Sequence, residues 1–356
     1  MHKHFMLAAL EQAWLGQGRC APNPSVGAVA VHKGEIIARG WHQGVGTAHA
    51  EQVVLTQLPK GLQNVTLFVT LEPCNHWGRT PPCVEAIIDA GIFEVIYGFR
   101  DPNPVVAANN TPERLQARGI KASHYPLAEI DAFYQSYAYW TRTKMPWVTA
   151  KLAHSLDAKI AKQAGERTRL TNNECAVFTH QNRLHADLIL TTAKTIRSDA
   201  PLLNARIEEK VYSKPLAILD SKLSLDKTTQ AIALARHCHI FHDEACTVTA
   251  PNANCTYHGV PVNAGLLDLK AVVTRLGQLG FHDVWVEAGG TCFSALHKEG
   301  LVQRTYLYIA PTLLGNEAVS AYLGEIFMKK PRVTWQIKAD NVIACLDWQE
   351  KSCLQE

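Results

Sequence analysis

Short apolar runs of strand length alternate with stretches of helical period along this chain, and that alternation restricts it to a layered α/β architecture. Phe5, Ala8, Ala9, Ala13 and Leu15 recur at helical spacing ahead of Gly16 and Gly18, which predicts a first helix from Phe5 to Leu15. Val26–Val31 and Glu35–Trp41, separated by Lys33-Gly34, read as a hairpin. A helix is expected over Ala48–Leu58, a strand over Val65–Leu71, a helix from Pro81-Pro82 to Ala90 and a strand over Phe93–Gly98. Helices near Pro112–Arg118 and Leu127–Thr141 complete this half.

Thr141-Arg-Thr-Lys-Met-Pro146 is polar and ends in proline just before a fresh apolar run, Trp147–Leu152, which places a domain boundary near residue 144. With 356 residues the chain can bury two cores, so the expected domains are 1–144 and 145–356. In the second, strands are expected at Leu188–Thr192, Pro215–Leu219, His239–His242, His282–Val286 and Thr305–Ile309, with helices near Asn173–Leu184 and Leu267–Leu279. Asp220–Gln230 and Asp243–Ala264 read as loops.

Charge narrows the functional classes. Lys and Arg total 35 against 32 Asp and Glu, and no basic run gathers the excess, so no nucleic-acid footprint is indicated. Ten cysteines are scattered rather than clustered, Met1–Arg19 lacks a secretory apolar core, and no apolar stretch is long enough to span a bilayer. The expectation is a cytoplasmic protein with no membrane partner.

The sharpest chemical signal is His49-Ala-Glu51 at a helix start, with Glu72-Pro-Cys74 closing a strand and Cys83 beyond it. One imidazole and two thiolates supply three corners of a tetrahedral zinc site and leave the fourth for water. Glu51 would move protons while the activated water attacks an amidine carbon, as in zinc nucleobase deaminases. Those carry Cys-x-x-Cys, whereas eight residues separate Cys74 from Cys83 here. A closed structural site with His76 as fourth ligand, and cysteines serving only as core fillers, stay open as alternatives. Cys175, Cys292 and Cys345 read as such fillers, and the crowd of His237, Cys238, His239, His242 and Cys246 has no clean ligand period.

Pro22-Asn-Pro-Ser-Val-Gly27, His49-Ala-Glu51, Thr70-Leu-Glu-Pro-Cys-Asn-His-Trp-Gly-Arg-Thr-Pro-Pro-Cys83 and Asp101-Pro-Asn-Pro104 together resemble the deaminase domain of the bifunctional riboflavin-biosynthesis deaminase/reductases. The long insert between the cysteines is a feature of that family. Lys151-Leu-Ala-His-Ser-Leu-Asp157, Ser198-Asp-Ala-Pro-Leu-Leu-Asn-Ala-Arg206, Val286-Glu-Ala-Gly289 and Tyr308-Ile-Ala-Pro-Thr-Leu-Leu-Gly315 resemble its reductase domain.

The resemblance implies a cytidine-deaminase-like three-layer domain followed by a dihydrofolate-reductase-like domain. It implies Zn2+ and NADPH as cofactors, a phosphoribosylaminopyrimidine as substrate, and a homo-oligomer. Deamination would come first, and reduction of the ribosyl group to ribityl second. His49, Cys74 and Cys83 would hold zinc, with Glu51 as the catalytic acid/base. Asn23, His42, Arg79, Asp101 and Asn103 would face the deaminase substrate. Arg183, Leu202, Arg206 and Glu287 would face the reductase substrate, and Lys151, Ala153, Arg169, Thr195, Asp199, Gly289 and Gly290 the cofactor.

Three departures stand out. The family's Leu-Asp-Gly is Leu156-Asp157-Ala158 here, and its Ser-Gly-Glu-Ser-x-Trp-Ile-Thr is Ala164-Gly-Glu-Arg-Thr-Arg-Leu-Thr171, which puts Arg167 and Arg169 in place of a serine and a tryptophan. Its Val-Ala-Gly-x-Gly is Val106-Ala-Ala-Asn-Asn110. These leave room for a deaminase whose second domain is only a scaffold. A nucleic-acid deaminase and a zinc-stabilised binding module complete the alternatives.

Overall fold

Lys33 and Gly34 both take positive φ, 50° and 83°, so the turn joining β1 (Gly27–His32) to β2 (Glu35–Trp41) has the primed geometry that matches strand twist. The structure is a computed structural model that describes residues 1–75, 82–104, 110–166, 168–226, 228–263, 265–323 and 330–349. Contacts divide the chain into two units, Met1–Lys144 and Met145–Glu356.

In the first unit β1 lies between β2 and β3 (Val65–Leu71), antiparallel to both. β4 (Glu94–Phe99) and β5 (Lys121–His124) continue the sheet parallel to β3, in the order β2-β1-β3-β4-β5. Both faces are covered, so the two-residue period of β1 sends Val29 and Val31 to one core and Ala28 and Ala30 to the other. On the first face α1 (His2–Gly16) and the helix Ala128–Thr143 bury Phe5, Met6, Ile130 and Tyr134 against Phe68 and Ile96. On the second, α2 (Ala50–Leu55) and α3 (Cys83–Asp89) bury Val54, Val84 and Ile87 against Leu67 and Val95. Each such side chain contributes roughly 1.5–3 kcal/mol by leaving water. Gly27 admits no side chain, because a Cβ there would stand 2.1 Å from the Ala9 carbonyl oxygen of α1.

The second unit is built on a nine-stranded sheet. From one edge the strands are Cys255–Val260, His237–Asp243, Pro215–Leu219, Leu188–Thr192, Asp283–Glu287, β6 (Trp147–Ser155) and Arg304–Ala310, all parallel. Asn341–Asp347 and Arg332–Lys338 then close the other edge as an antiparallel hairpin. Helices Leu269–Gln278 and Gly290–Lys298 pack Val272, Leu276, Phe293 and Leu296 on one face, and Ile196, Ile232 and Trp285 belong to a separate core cluster.

Several elements differ from expectation. Asp243–Ala264, which reads as a loop, contains the edge strand Cys255–Val260, of which only His258 and Val260 are buried, too few to print a two-residue pattern in the sequence. Asp220–Gln230 is followed at once by a short helix, Gln230–Leu234. The hairpin Arg332–Asp347 has no counterpart among the expected strands: Trp335 and Ile337 in its outer strand are 64% and 79% exposed, and the inner strand Asn341–Asp347, mostly buried, shows no two-residue alternation. Among the described residues, no helix is long and apolar enough to cross a membrane.

Candidate functional site

His49 stands just ahead of the first turn of α2 with extended backbone, and its N–H donates to Gln52 Oε1 at 3.2 Å. Cys74 follows the end of β3, and Cys83 is the first residue of α3. These three elements bring His49 Nδ1 within 3.1 Å of Cys83 Sγ and 3.6 Å of Cys74 Sγ. The Cys83 backbone N–H donates to Cys74 Sγ at 3.3 Å. Tetrahedral zinc with ordinary Zn–N and Zn–S bonds separates nitrogen from sulfur by about 3.6 Å, so the donor set fits that ion. Among the described residues, this is the one group of three metal-ligating side chains whose ligand atoms all lie within 4.8 Å of each other. His237, His239, His242 and Cys246 form no such group; instead His239 Nδ1 and His258 Nε2 share a hydrogen bond at 3.1 Å.

Glu51, in the first turn of α2, is 3% exposed, and burial pushes its carboxyl above the usual range. A hydrogen bond from the Cys83 thiol draws the Cys74 thiol down, and the Cys74 interaction raises His49. Electrostatics therefore already favour a deprotonated sulfur at this point.

Asn23 and His42 sit beside the donors. His42 Nδ1 donates to the Ala48 carbonyl and Nε2 accepts from Asn23 Nδ2, each at 3.2 Å, and the ring meets His49 edge-on with centroids 5.3 Å apart. Burial lowers the His42 pKa, consistent with this neutral tautomer. Asp101 Oδ1 accepts from the Tyr137 hydroxyl at 3.0 Å and from the Asn103 N–H at 2.9 Å, so part of its capacity holds its own turn. Arg79, His76 and Arg167 lie outside the described residues.

In the second unit the carboxyl ends of several parallel strands open into a cavity of about 1210 Å³. Lys151, Ala153, Arg169, Arg183, Thr195, Asp199, Arg206, Glu287, Gly289 and Gly290 line it; Leu202, half-buried, does not. The floor is ionic. Arg183 grips the Glu287 carboxylate with two hydrogen bonds, and Trp285 Nε1 donates to Glu287 Oε1 at 2.8 Å. Burial would raise Glu287, yet the guanidinium outweighs it and holds the carboxyl at about 2. Lys151 Nζ lies 5.0 Å from the centre of the Tyr308 ring, and burial lowers its pKa. Arg169 Nη2 donates to Asn173 Oδ1 at 2.6 Å.

Gly290 opens its helix against the Ala321 carbonyl oxygen, 2.6 Å from where a Cβ would be, whereas a Cβ on Gly289 would meet nothing within 4 Å. Ala158, where the resembling family has glycine, adopts φ 56°. Sequence reasoning missed His180 and Asn204, both of which bond the arginine residues of the cavity. The available signal was spacing, His180 three residues before Arg183 on one helix and Asn204 two before Arg206.

A three-layer α/β unit with a His-Cys-Cys donor set around a buried glutamate, followed by a parallel-sheet unit with a large cavity, defines a zinc-dependent deaminase joined to a reductase. Family models agree: residues 1–99 match the cytidine and deoxycytidylate deaminase zinc-binding region, and residues 146–344 match the RibD C-terminal domain. The chain belongs to the riboflavin biosynthesis protein RibD family. It is 34% identical over 329 residues to RibD of Escherichia coli, covering 89% of each chain, and 32% identical over 332 residues to RibD of Bacillus amyloliquefaciens, covering 92% of this chain and 89% of the relative. The Acinetobacter baumannii RibD structure superposes with a TM-score of 0.83 at 29% identity, covering 97% of this chain and 98% of that one. A Thermotoga maritima diaminohydroxyphosphoribosylaminopyrimidine deaminase/5-amino-6-(5-phosphoribosylamino)uracil reductase gives 0.84 at 29% identity with the same coverage.

Proposed function

We propose that this chain carries out two consecutive steps of riboflavin biosynthesis. Residues 1–144 form the deaminase domain, which hydrolyses the 2-amino group of 2,5-diamino-6-(5-phosphoribosylamino)pyrimidin-4(3H)-one. Residues 145–356 form the reductase domain, which reduces the ribosyl group of the product to ribityl with NADPH. The observation that carries this reading is the convergence of His49, Cys74 and Cys83 beside the buried Glu51.

His49 Nδ1 and the two sulfurs would hold zinc, which when bound supplies the Lewis acidity that brings the pKa of water from about 15.7 towards 7. Glu51 would take a proton from the attacking water and return one to the departing exocyclic amine, which leaves as ammonia, the acid/base role its position two residues from His49 allows. Asn23 and His42 form a polar wall suited to the pyrimidine edge. In the second domain Glu287 and Lys151 supply buried charges of opposite sign for the sugar, and the backbone at Gly289 leaves open space for the cofactor. The cavity supports an active second domain rather than a scaffold. The protein works in the cytoplasm as a homo-oligomer on a small-molecule substrate, without nucleic acid.

Purified, zinc-loaded protein given the diaminopyrimidine and NADPH should release ammonia and then consume the cofactor. Absence of ammonia ends the deaminase reading; ammonia with no fall in NADPH absorbance ends the reductase reading.

A further inference from the structure

The short helix Thr111–Gln116 reaches both cysteine-bearing segments of the first unit. Its first residue, Thr111, is 1% exposed and donates its hydroxyl to the carbonyl oxygen of Pro73 at 3.0 Å, directly before Cys74. Arg114, later on the same helix, spreads its guanidinium between two acceptors. Nη1 donates to Asn75 Oδ1 at 2.8 Å, directly after Cys74, and Nη2 donates to Glu85 Oε1 on α3, two residues past Cys83. Leu115 belongs to the same buried cluster as Val84 and Ile87. One helix therefore holds the chain on both sides of Cys74 and again beyond Cys83.

The Val84 N–H donates to the Cys74 carbonyl at 3.2 Å, so the backbone at the two cysteines is tied once directly. Arg114 adds a second tie through the side chains that flank them. Eight residues lie between Cys74 and Cys83, and holding the ends of such a segment together costs chain entropy. A tie made before the ion arrives removes part of that cost from metal binding. The planar fork of a guanidinium fixes two acceptors at one span, which a lysine ammonium cannot do. The side chains of Arg114 and Glu85 are 45% and 31% exposed, so their ion pair adds little to the stability of the unit. Its effect lies in where Asn75 and Glu85 stand.

We infer that Arg114 is a positioning residue for the zinc centre: by bridging Asn75 and Glu85 it holds Cys74 and Cys83 at the separation a single ion requires. Arg114 bonds the neighbours of the ligands and not the ligands themselves. This rests on the zinc deaminase reading above.

The test uses the full-length protein, with the zinc Kd measured by chelator competition and the visible spectrum recorded after cobalt(II) substitution. Arg114→Ala should raise the zinc Kd roughly three- to tenfold and shift the cobalt bands, which report the arrangement of the two sulfurs. Arg114→Lys keeps the charge beside Glu85 but lacks the fork; it should raise the zinc Kd by a similar factor, and it guards against misfolding of the alanine variant. In an Arg114→Ala background, Asn75→Ala should add less than twofold. The metal-free wild type and lysine variant should melt together, and NADPH consumption on 5-amino-6-(5-phosphoribosylamino)uracil should be equal in both. An unchanged zinc Kd in both variants, full rescue by lysine, or fully additive effects with Asn75→Ala would overturn the inference. A lower melting temperature of the metal-free lysine variant would assign Arg114 to the fold instead and overturn it too. If the wild-type protein binds no zinc, the zinc reading fails first, and this inference with it.

Discussion

Arg183 and Glu287, 104 residues apart, form a two-pronged ion pair on the cavity floor, with Nε to Oε1 at 2.5 Å and Nη2 to Oε2 at 2.8 Å. Their side chains are only 11% and 14% exposed, so neither charge can be relieved by water if its partner is lost.

Removing one partner should therefore cost more than a surface pair would. Arg183→Leu is expected to destabilise the second unit by about 3 kcal/mol and to abolish NADPH consumption while ammonia release persists. Because Glu287 is held at about 2, below its ordinary range, the pair contributes fully above that range and its contribution is lost as pH falls towards 2. Urea unfolding of wild type and variant between pH 3 and 7 measures this; a stability difference that does not shrink on acidification argues against it.

Glu51→Gln keeps the size of the side chain and removes the proton shuttle. Deamination should fall by about 10²–10⁴-fold, with zinc content and NADPH consumption on 5-amino-6-(5-phosphoribosylamino)uracil retained. Ammonia assay together with metal analysis decides the matter, and retained turnover would make Glu51 a structural residue.

The adjacent glycines should separate cleanly. Gly290→Ala forces a Cβ against the Ala321 carbonyl and should lower the melting temperature of the second unit. Gly289→Ala meets no atom within 4 Å, so stability should hold while KM for NADPH rises. Calorimetry and steady-state kinetics on the two variants provide the comparison; equal melting losses would defeat the distinction.

Ala158 takes φ 56°, a region in which a Cβ is strained, and its N–H and carbonyl are bonded to Ser155 and Ala321. Ala158→Gly should relieve that strain and stabilise the protein by about 0.5–1 kcal/mol, the steric gain exceeding the added freedom of the unfolded chain. A lower midpoint in urea would show that the turn tolerates alanine without cost.

Asp283 lies beside Asp187 at the start of its strand, and burial together with that neighbour raises it to about 7. An acid whose folded pKa lies above its unfolded value stabilises the fold at low pH, and that contribution is lost as pH rises through 7. Asp283→Asn should accordingly raise stability at pH 8 and flatten its dependence between pH 5 and 8. Parallel melting curves for wild type and variant across that range would count against the raised value.

Much of the active-site chemistry is legible in the residue order. The candidate zinc donors stand out because sulfur and imidazole are rare ligand types and the glutamate two residues from His49 has few other uses in that setting. The hairpin at Lys33-Gly34 is equally plain, since a two-residue turn with positive φ at both positions demands such residues. The edge strand Cys255–Val260 and the outer hairpin strand Arg332–Lys338 are not, because strands that bury little leave no period in the residue pattern; Asn341–Asp347 is mostly buried but without a two-residue alternation. The different surroundings of Arg183 and Arg206 are also hidden: two arginines look alike in a sequence, and only the structure shows that one is buried against a carboxylate while the other is exposed and bonds an amide oxygen.

What the residues alone determined is the local chemistry: which side chains can bind a soft cation, which turns admit positive φ, and which runs bury in an α/β core. Tertiary structure decided the pairing of Arg183 with Glu287, 104 residues apart, because a hydrogen bond acts over about 3 Å and only folding brings the two side chains together. It also decided why Gly290 must be glycine, since the reason is a carbonyl contributed by Ala321 from elsewhere in the chain.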